Sequence, residues 1–186
     1  MPPSQLFVPS SSMRTASSKY KAKHVFYDSK TRSVISACST DIYRVNGKLK
    51  LPSHIWRFDS IHEFKVYLEL TRMYGVDRIA RQHKLEIIPS GCCYPKSKDW
   101  RVDFAILNSS RFGGCSHFIE AKGAFLPEFA TTLACLEQNN EYAFEKLYLV
   151  FPGKPPTTNR VLNSLMKTYF ANHIFTLKEL QHKQDI

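Results

Sequence analysis

Two consecutive apolar runs each carry a carboxylate inside strand-like sequence, and only a short turn separates them. The first run is WRVDFAIL at 100–107, the second is SHFIEAK at 116–122, and the turn signal NSSRFGG lies between them. A hairpin of these two strands brings Asp103 close to Glu120. Because two carboxylates at the end of a sheet repel each other unless a cation lies between them, the pattern predicts a charged site within the hairpin.

The second run also carries a lysine beside its carboxylate. Glu120 and Lys122 are two residues apart, so a strand projects both to one side, and Gly123 follows where the strand ends. A surface ion pair on an edge strand is the ordinary interpretation. The flanking residues are apolar, however, as in a central strand, where uncompensated charge is costly. Paired carboxylates suit Mg²⁺ or Mn²⁺, and Lys122 would then orient a water or stabilise charge on a phosphate.

A third carboxylate lies on the apolar side of a predicted helix. The segment SIHEFKVYLELTRMYG predicts a helix from near Ser60 to about Tyr74. At about 100° per residue, Glu63 falls among apolar side chains, where a carboxylate requires a reason. One reason is a capping box with Ser60, and the other is a place in the charged site. Both remain open, and a first-turn glutamate can serve both.

The remaining elements define the predicted fold class. We expect strands at 24–27, 33–36, 84–89, 146–152 and 173–177, an Asn-Gly turn within 45–49, and helices at 127–144 and 157–170. Three consecutive strands favour an antiparallel meander, and the strand–helix–strand crossover that follows favours a parallel pair. The prediction is an α/β protein with a mixed sheet flanked by helices on both faces, in the core order αβββαβ.

Positive charge is concentrated near the amino terminus. The chain has 186 residues and a formal net charge of +10, and residues 1–50 hold nine lysines and arginines against two aspartates. We predict a Ser- and Pro-rich disordered tail over 1–18, and a single domain over 19–186 with an inserted basic region at about 24–57. The charge indicates nucleic acid as the partner. No stretch approaches the roughly 18 apolar residues of a membrane span.

The five cysteines indicate the compartment. Their number is odd and no C-x-x-C pair occurs, which fits neither a disulfide framework nor a zinc knuckle. Reduced thiols in the cytoplasm are the better interpretation.

Five segments together resemble a known family. In chain order, SKYKAK, FDSIHEFKVYLEL, QHKLEIIP, WRVDFAI and FIEAKG are similar to a family of small phage and bacterial endonucleases of the PD-(D/E)XK nuclease superfamily. The similarity covers about residues 18–150, and Val102 stands where the superfamily pattern has proline. The resemblance implies a restriction-endonuclease-like fold and metal-dependent hydrolysis of phosphodiester bonds.

The resemblance also implies a role for each matched residue. Asp103 and Glu120 would be metal ligands, together with the carbonyl of Ala121. Lys122 would face the water or the phosphate, and Glu63 would be the helix carboxylate of the catalytic set. The expected cofactor is Mg²⁺, with Mn²⁺ as a substitute.

Further residues are candidates around this site. Gln82 precedes the strand at 84–89, where similar enzymes bring a glutamine near the site, although a surface role is equally compatible. The basic residues expected to bind the DNA backbone, with a solvated basic face as the alternative, are Lys19, Lys21, Lys23, Lys84, Lys96, Lys98, Arg101 and Arg111.

The predicted function is that of a metal-dependent DNA endonuclease. Site-specific cleavage, as in homing, and resolution of branched junctions both remain open, and each favours a homodimer because two symmetric cuts need two sites. The alternatives are a transposon-end endonuclease that needs partner proteins and a non-catalytic nucleic-acid-binding module on a nuclease fold. Cleavage of RNA also remains open.

Overall fold

The computed structural model describes residues 23–36, 43–45, 48–91, 93, 95–108, 114–155, 160, 163–164 and 172–186. The chain divides into two compact units, residues 1–61 and residues 62–186. The predicted tail at 1–18 lies outside the described residues, and the single domain expected over 19–186 stays a prediction. Both units contain β-sheet, and with the helices they make a mixed α/β protein, as the sequence predicts.

The first unit contains a small antiparallel sheet. Its strands, in the order β2-β1-β5, are β1 (Val25–Asp28), β2 (Ser33–Ile35) and β5 (Ile55–Phe58). Strands β3 (Tyr43–Val45) and β4 (Lys48–Lys50) form a separate antiparallel pair, and the Asn-Gly dipeptide of the predicted turn lies outside the described residues. The sequence does not predict β5, because its buried residues stand at its two ends and do not alternate.

The second unit is built on a five-stranded mixed sheet in the order β10-β9-β8-β7-β6. The strands are β6 (Ile79–Ile88), β7 (Lys98–Leu107), β8 (Cys115–Ala121), β9 (Leu147–Phe151) and β10 (Ile174–Thr176). β6, β7 and β8 pair antiparallel, whereas β9 pairs parallel with β8 and β10 parallel with β9. The predicted meander and crossover are therefore confirmed, although β6 begins five residues before the expected strand at 84–89.

Helices pack on both faces of this sheet. The α-helices that the structure describes in full are α1 (Ile61–Tyr74), α2 (Pro127–Asn139), α3 (Glu141–Glu145) and α4 (Leu177–Gln181). α1 covers one face, where the Tyr67 ring stacks on Phe104 at 6.2 Å. α2 covers the other face, where Phe129 and Leu133 share a buried cluster with Ala105 and Phe118. The core order αβββαβ is thus observed between residues 61 and 151, with α2 and α3 together in the place of the second helix.

Two predicted helical segments differ from the structure. The helix expected at 127–144 is two helices, because Asn140 leaves the helical conformation at φ −149° and ψ 67°. Its side chain accepts a hydrogen bond from the Ala143 N–H and so begins α3. Of the helix expected at 157–170, only residues 160, 163 and 164 are described, and all three are helical. The unpredicted helix α4 begins with a capping box between Thr176 and Glu179.

The cap at Asn140 leads to a stability prediction. Asn140→Ala removes the acceptor for Ala143, and we expect a loss of about 1 kcal/mol in the free energy of unfolding. Urea denaturation monitored by circular dichroism measures this loss. Gln138→Ala, at an exposed position in α2, is the matched control and should change stability by less than about 0.5 kcal/mol. Equal effects of the two substitutions would contradict the assignment of the cap.

Candidate active site

The carboxylates of Asp103 and Glu120 are held by the backbone of each other's strands. The Asp103 N–H in β7 donates to Glu120 Oε2 at 3.0 Å, and the Ala121 N–H in β8 donates to Asp103 Oδ2 at 2.9 Å. The pairing of β7 with β8 reaches Phe104 opposite Ile119, one step before these two residues. Where β7 and β8 separate, carboxylate oxygens therefore accept the backbone N–H groups in place of the carbonyls of the neighbouring strand.

Lys122 is held at both its backbone and its ammonium group. Its Nζ lies 2.6 Å from Glu120 Oε1 and 4.0 Å from the centre of the Phe129 ring, and 23% of its side chain is exposed. Its backbone N–H donates to the carbonyl of Val150 at 2.9 Å. The His62 Nε2–H donates to the same carbonyl at 2.8 Å. The first turn of α1 is thus tied to the strand position that carries Lys122.

The Glu120 carboxyl lies in an electrostatically unfavourable position. The residue is only 5% exposed. Burial and the neighbouring charge of Asp103 raise the pKa of Glu120 to about 8, although Lys122 acts in the opposite direction. One ammonium group therefore does not compensate for two adjacent carboxylates in this setting. A divalent cation would relieve the excess negative charge, and carboxylate oxygens are the ligands that Mg²⁺ and Mn²⁺ prefer.

Two carboxylates, those of Asp103 and Glu120, would be the ligands of such a cation. Across the described part of the chain, no group of three or more His, Cys, Asp or Glu side chains is arranged to hold a metal ion. Asp103 and Glu120 supply the donor set that fits, and the Ala121 carbonyl stays a predicted ligand. The observed contact of Ala121 at this site is its N–H bond to Asp103.

Glu63 has a cationic partner that the sequence does not indicate. The residue is 4% exposed, and its Oε1 lies 3.7 Å from Arg81 Nη2. Arg81 lies in β6, directly before Gln82, and its positive charge offsets the cost of burying the carboxylate. The catalytic role expected for Glu63 and its capping box with Ser60 both stay predictions. The burial of Glu63 does agree with its predicted place on the apolar side of the helix.

Gln82 contacts the site through its amide. Its Nε2 donates to Asp103 Oδ1 at 3.4 Å, so Asp103 receives hydrogen bonds from both neighbouring strands, β6 and β8. Gly123 follows β8 at the end of the strand, as the sequence predicts. A methyl group on its Cα would meet no atom within 4 Å apart from its chain neighbours, so packing does not require glycine there.

The candidate DNA-binding residues occupy several places. Lys84, Lys96, Lys98 and Arg101 are exposed, and three of them, Lys84, Lys98 and Arg101, lie in strands β6 and β7. Lys84 lies opposite Arg101, two residues from the Gln82–Asp103 position, or about 7 Å along the strands. Lys84 also pairs with Asp99 at 2.5 Å. Lys23 is exposed in the first unit, and Lys19, Lys21 and Arg111 lie outside the described residues.

Sequence reasoning missed Arg81 and Phe129, which contact Glu63 and Lys122, and also His62, which shares the Val150 carbonyl with the Lys122 N–H. His62 and Arg81 are neighbours in sequence of Glu63 and Gln82, which is the one signal that points to them. Phe129 follows the predicted site by seven residues and carries no such signal. Its contact with Lys122 arises because α2 packs back onto the sheet.

The raised pKa of Glu120 predicts how stability depends on pH without metal. A raised carboxyl pKa favours the neutral form in the folded state, so this contribution is complete below about pH 4.5 and is lost as the pH rises through about 8. Between pH 5 and 9 in EDTA, the wild-type Tm should therefore fall relative to that of Glu120→Gln. The fall should be roughly 2–4 °C for each kcal/mol lost from the free energy of unfolding. Glu86→Gln, at an exposed position in β6, should follow the wild type. Parallel curves for wild type and Glu120→Gln would contradict the raised pKa.

The Glu63–Arg81 pair predicts a second stability effect. Arg81→Met leaves the buried Glu63 carboxylate without this partner, and we expect a loss of about 3 kcal/mol in the free energy of unfolding. Adding Glu63→Gln to Arg81→Met should recover part of that loss. Lys84→Met breaks an exposed ion pair in the same strand and should cost less than about 1 kcal/mol. Guanidinium denaturation compares all four proteins, and equal losses for the two single substitutions at 81 and 84 would refute the buried pair.

No protein-family model, no curated protein and no solved structure matches the chain. Within the part of the chain that the structure describes, no helix has the length and apolar character to cross a membrane.

Proposed function

We propose that the chain is a metal-dependent DNA endonuclease of the PD-(D/E)XK superfamily, with a restriction-endonuclease-like fold in its second unit. One observation carries the proposal: the interlocked carboxylates of Asp103 and Glu120, with the Lys122 ammonium on Glu120. The order αβββαβ and the resemblance of the sequence segments support the same assignment.

Each residue has a distinct task in this proposal. Asp103 and Glu120 would hold Mg²⁺ or Mn²⁺, which when bound activates a water and stabilises negative charge on the phosphate. Lys122 places a positive charge beside the reacting phosphate oxygens, and its contact with Phe129 keeps the ammonium near the pair. In hydrolysis the water oxygen bonds to phosphorus and the water gives up one proton, while one ester P–O bond breaks and the leaving oxygen takes up one proton.

Charge and symmetry suggest how DNA would be held. Exposed Lys84 and Arg101 lie two residues along β6 and β7 from the Gln82–Asp103 position, and their positive charge would attract the DNA backbone. A homodimer would supply two sites for cleavage of both strands of a target sequence or of a junction. Cytoplasmic location, with access to the nucleoid, belongs to the same proposal.

Cleavage of a substrate panel tests the proposal. Supercoiled plasmid, linear duplex, single strand, four-way junction and structured RNA are each incubated with Mg²⁺ or Mn²⁺. Asp103→Asn and Lys122→Met should each lower the cleavage rate by about 100-fold or more while DNA binding is retained, because each removes charge from the reacting centre. Glu128→Gln, at an exposed position in α2, is the matched control and should cleave like the wild type.

The panel also separates the alternatives. Binding to DNA without cleavage in either metal would favour a non-catalytic module or an endonuclease that requires partner proteins. Cleavage that survives Asp103→Asn and Lys122→Met would refute the assigned site. Preference for the junction over the linear duplex would indicate a resolvase, and a unique plasmid cut would indicate a site-specific enzyme.

A further inference from the structure

Gln82 adopts a backbone conformation that is unusual for the middle of a strand. Its φ is 51°, in the left-handed region, although it lies inside the ten-residue strand β6. Among the described residues, Arg32 is the only other non-glycine residue with a positive φ, and it lies in a turn. Strained backbone of this kind persists where the surrounding structure enforces it, and it is frequent at functional sites.

The distortion interrupts the strand pairing at one position only. Arg81 pairs with Phe104 and His83 with Val102, whereas the position between them, Gln82 opposite Asp103, is skipped. Pairing resumes in the same register on both sides, so neither strand contains an inserted residue there. The distortion is therefore not a simple bulge, and its effect falls on the pair that includes Asp103.

Side-chain directions change across the same position. Strict alternation would place residues three apart on opposite faces of the sheet. In β7, however, Val102 and Ala105 both belong to the cluster beneath α2. In β6, Ala80 packs on that cluster and His83 lies against Phe118 within it, at 5.6 Å between ring centres. The alternation thus reverses at Gln82 and Asp103 in both strands.

We propose that Gln82 is a positioning residue for Asp103 and that it acts mainly through its left-handed backbone. This conformation takes Asp103 out of the β6 ladder, so its N–H and carboxylate point to β8 and form the bonds with Glu120 and Ala121. The Gln82 amide adds a weaker contact at 3.4 Å to the second carboxylate oxygen. The inference rests on the proposed function to the extent that Asp103 is a metal ligand.

Two substitutions distinguish the effect of the Gln82 backbone conformation from that of its side-chain amide. Gln82→Gly retains access to the left-handed region and removes the amide, whereas Gln82→Val removes the amide and strongly disfavours that region. Glu86→Val is the matched control, since it places the same β-branched residue at an exposed, extended position of β6. If Gln82→Val does not fold, Gln82→Ala replaces it, with a smaller effect in the same direction.

Two measurements report on the geometry of Asp103. The amide resonance of Asp103 in metal-free protein reports on its hydrogen bond to Glu120, and titration calorimetry with Mn²⁺ alone reports on the site as a ligand set. We expect Gln82→Gly to keep the resonance and to bind Mn²⁺ within about threefold of wild type. Gln82→Val should shift the resonance and weaken Mn²⁺ binding by about tenfold or more, as for residues that orient metal ligands.

The other outcomes of these measurements would overturn the positioning role of Gln82, its backbone part or the metal site. Wild-type behaviour of Gln82→Val in both measurements would overturn the inference. Equal defects in Gln82→Gly and Gln82→Val would overturn the role of the backbone in favour of the amide. If the wild type binds no Mn²⁺, the proposed metal site fails, but the Asp103 resonance still decides whether Gln82 positions Asp103.

Discussion

The reciprocal hydrogen bonds between the Asp103 and Glu120 carboxylates and the backbone of the facing strands are the constraint on which the site depends. At the end of a hairpin, backbone N–H groups lose their ladder partners and require new acceptors. Here the new acceptors are two carboxylates, which are thereby brought together in spite of their mutual repulsion. The same two side chains thus accept hydrogen bonds from otherwise unpaired backbone N–H groups and concentrate negative charge at one place.

The rest of the second unit surrounds this charge. Parallel pairing of β8 with β9 places the Val150 carbonyl where it accepts from Lys122 and His62, which links the lysine, the crossover strand and the first turn of α1. α2 returns over the sheet and sets Phe129 beneath the Lys122 ammonium. On β6, Arg81 compensates for the buried Glu63. Helices on both faces of the sheet and the neighbouring strand β6 therefore contribute contacts to the charged residues or to the backbone beside them.

The sequence predicts the elements well where their periodicity is regular. Helix α1 and strands β7 and β8 begin and end within two residues of the predicted bounds, and the hairpin pairing of Asp103 near Glu120 follows from them. The prediction is wrong where a local interruption has no strong signal. Asn140 divides the helix at 127–144, and β6 is longer than predicted because the left-handed Gln82 breaks its alternation.

The sequence by itself determined the mixed sheet, the order of its core elements and the proximity of Asp103, Glu120 and Lys122. These follow from hydrophobic periodicity and from the two-residue repeat of a strand, which are local properties. Only the tertiary structure decided that Arg81 pairs with Glu63, that Phe129 lies against Lys122 and that Gln82 reverses the alternation of two strands. These contacts join residues of different elements, and their geometry depends on packing and long-range pairing that no local pattern encodes.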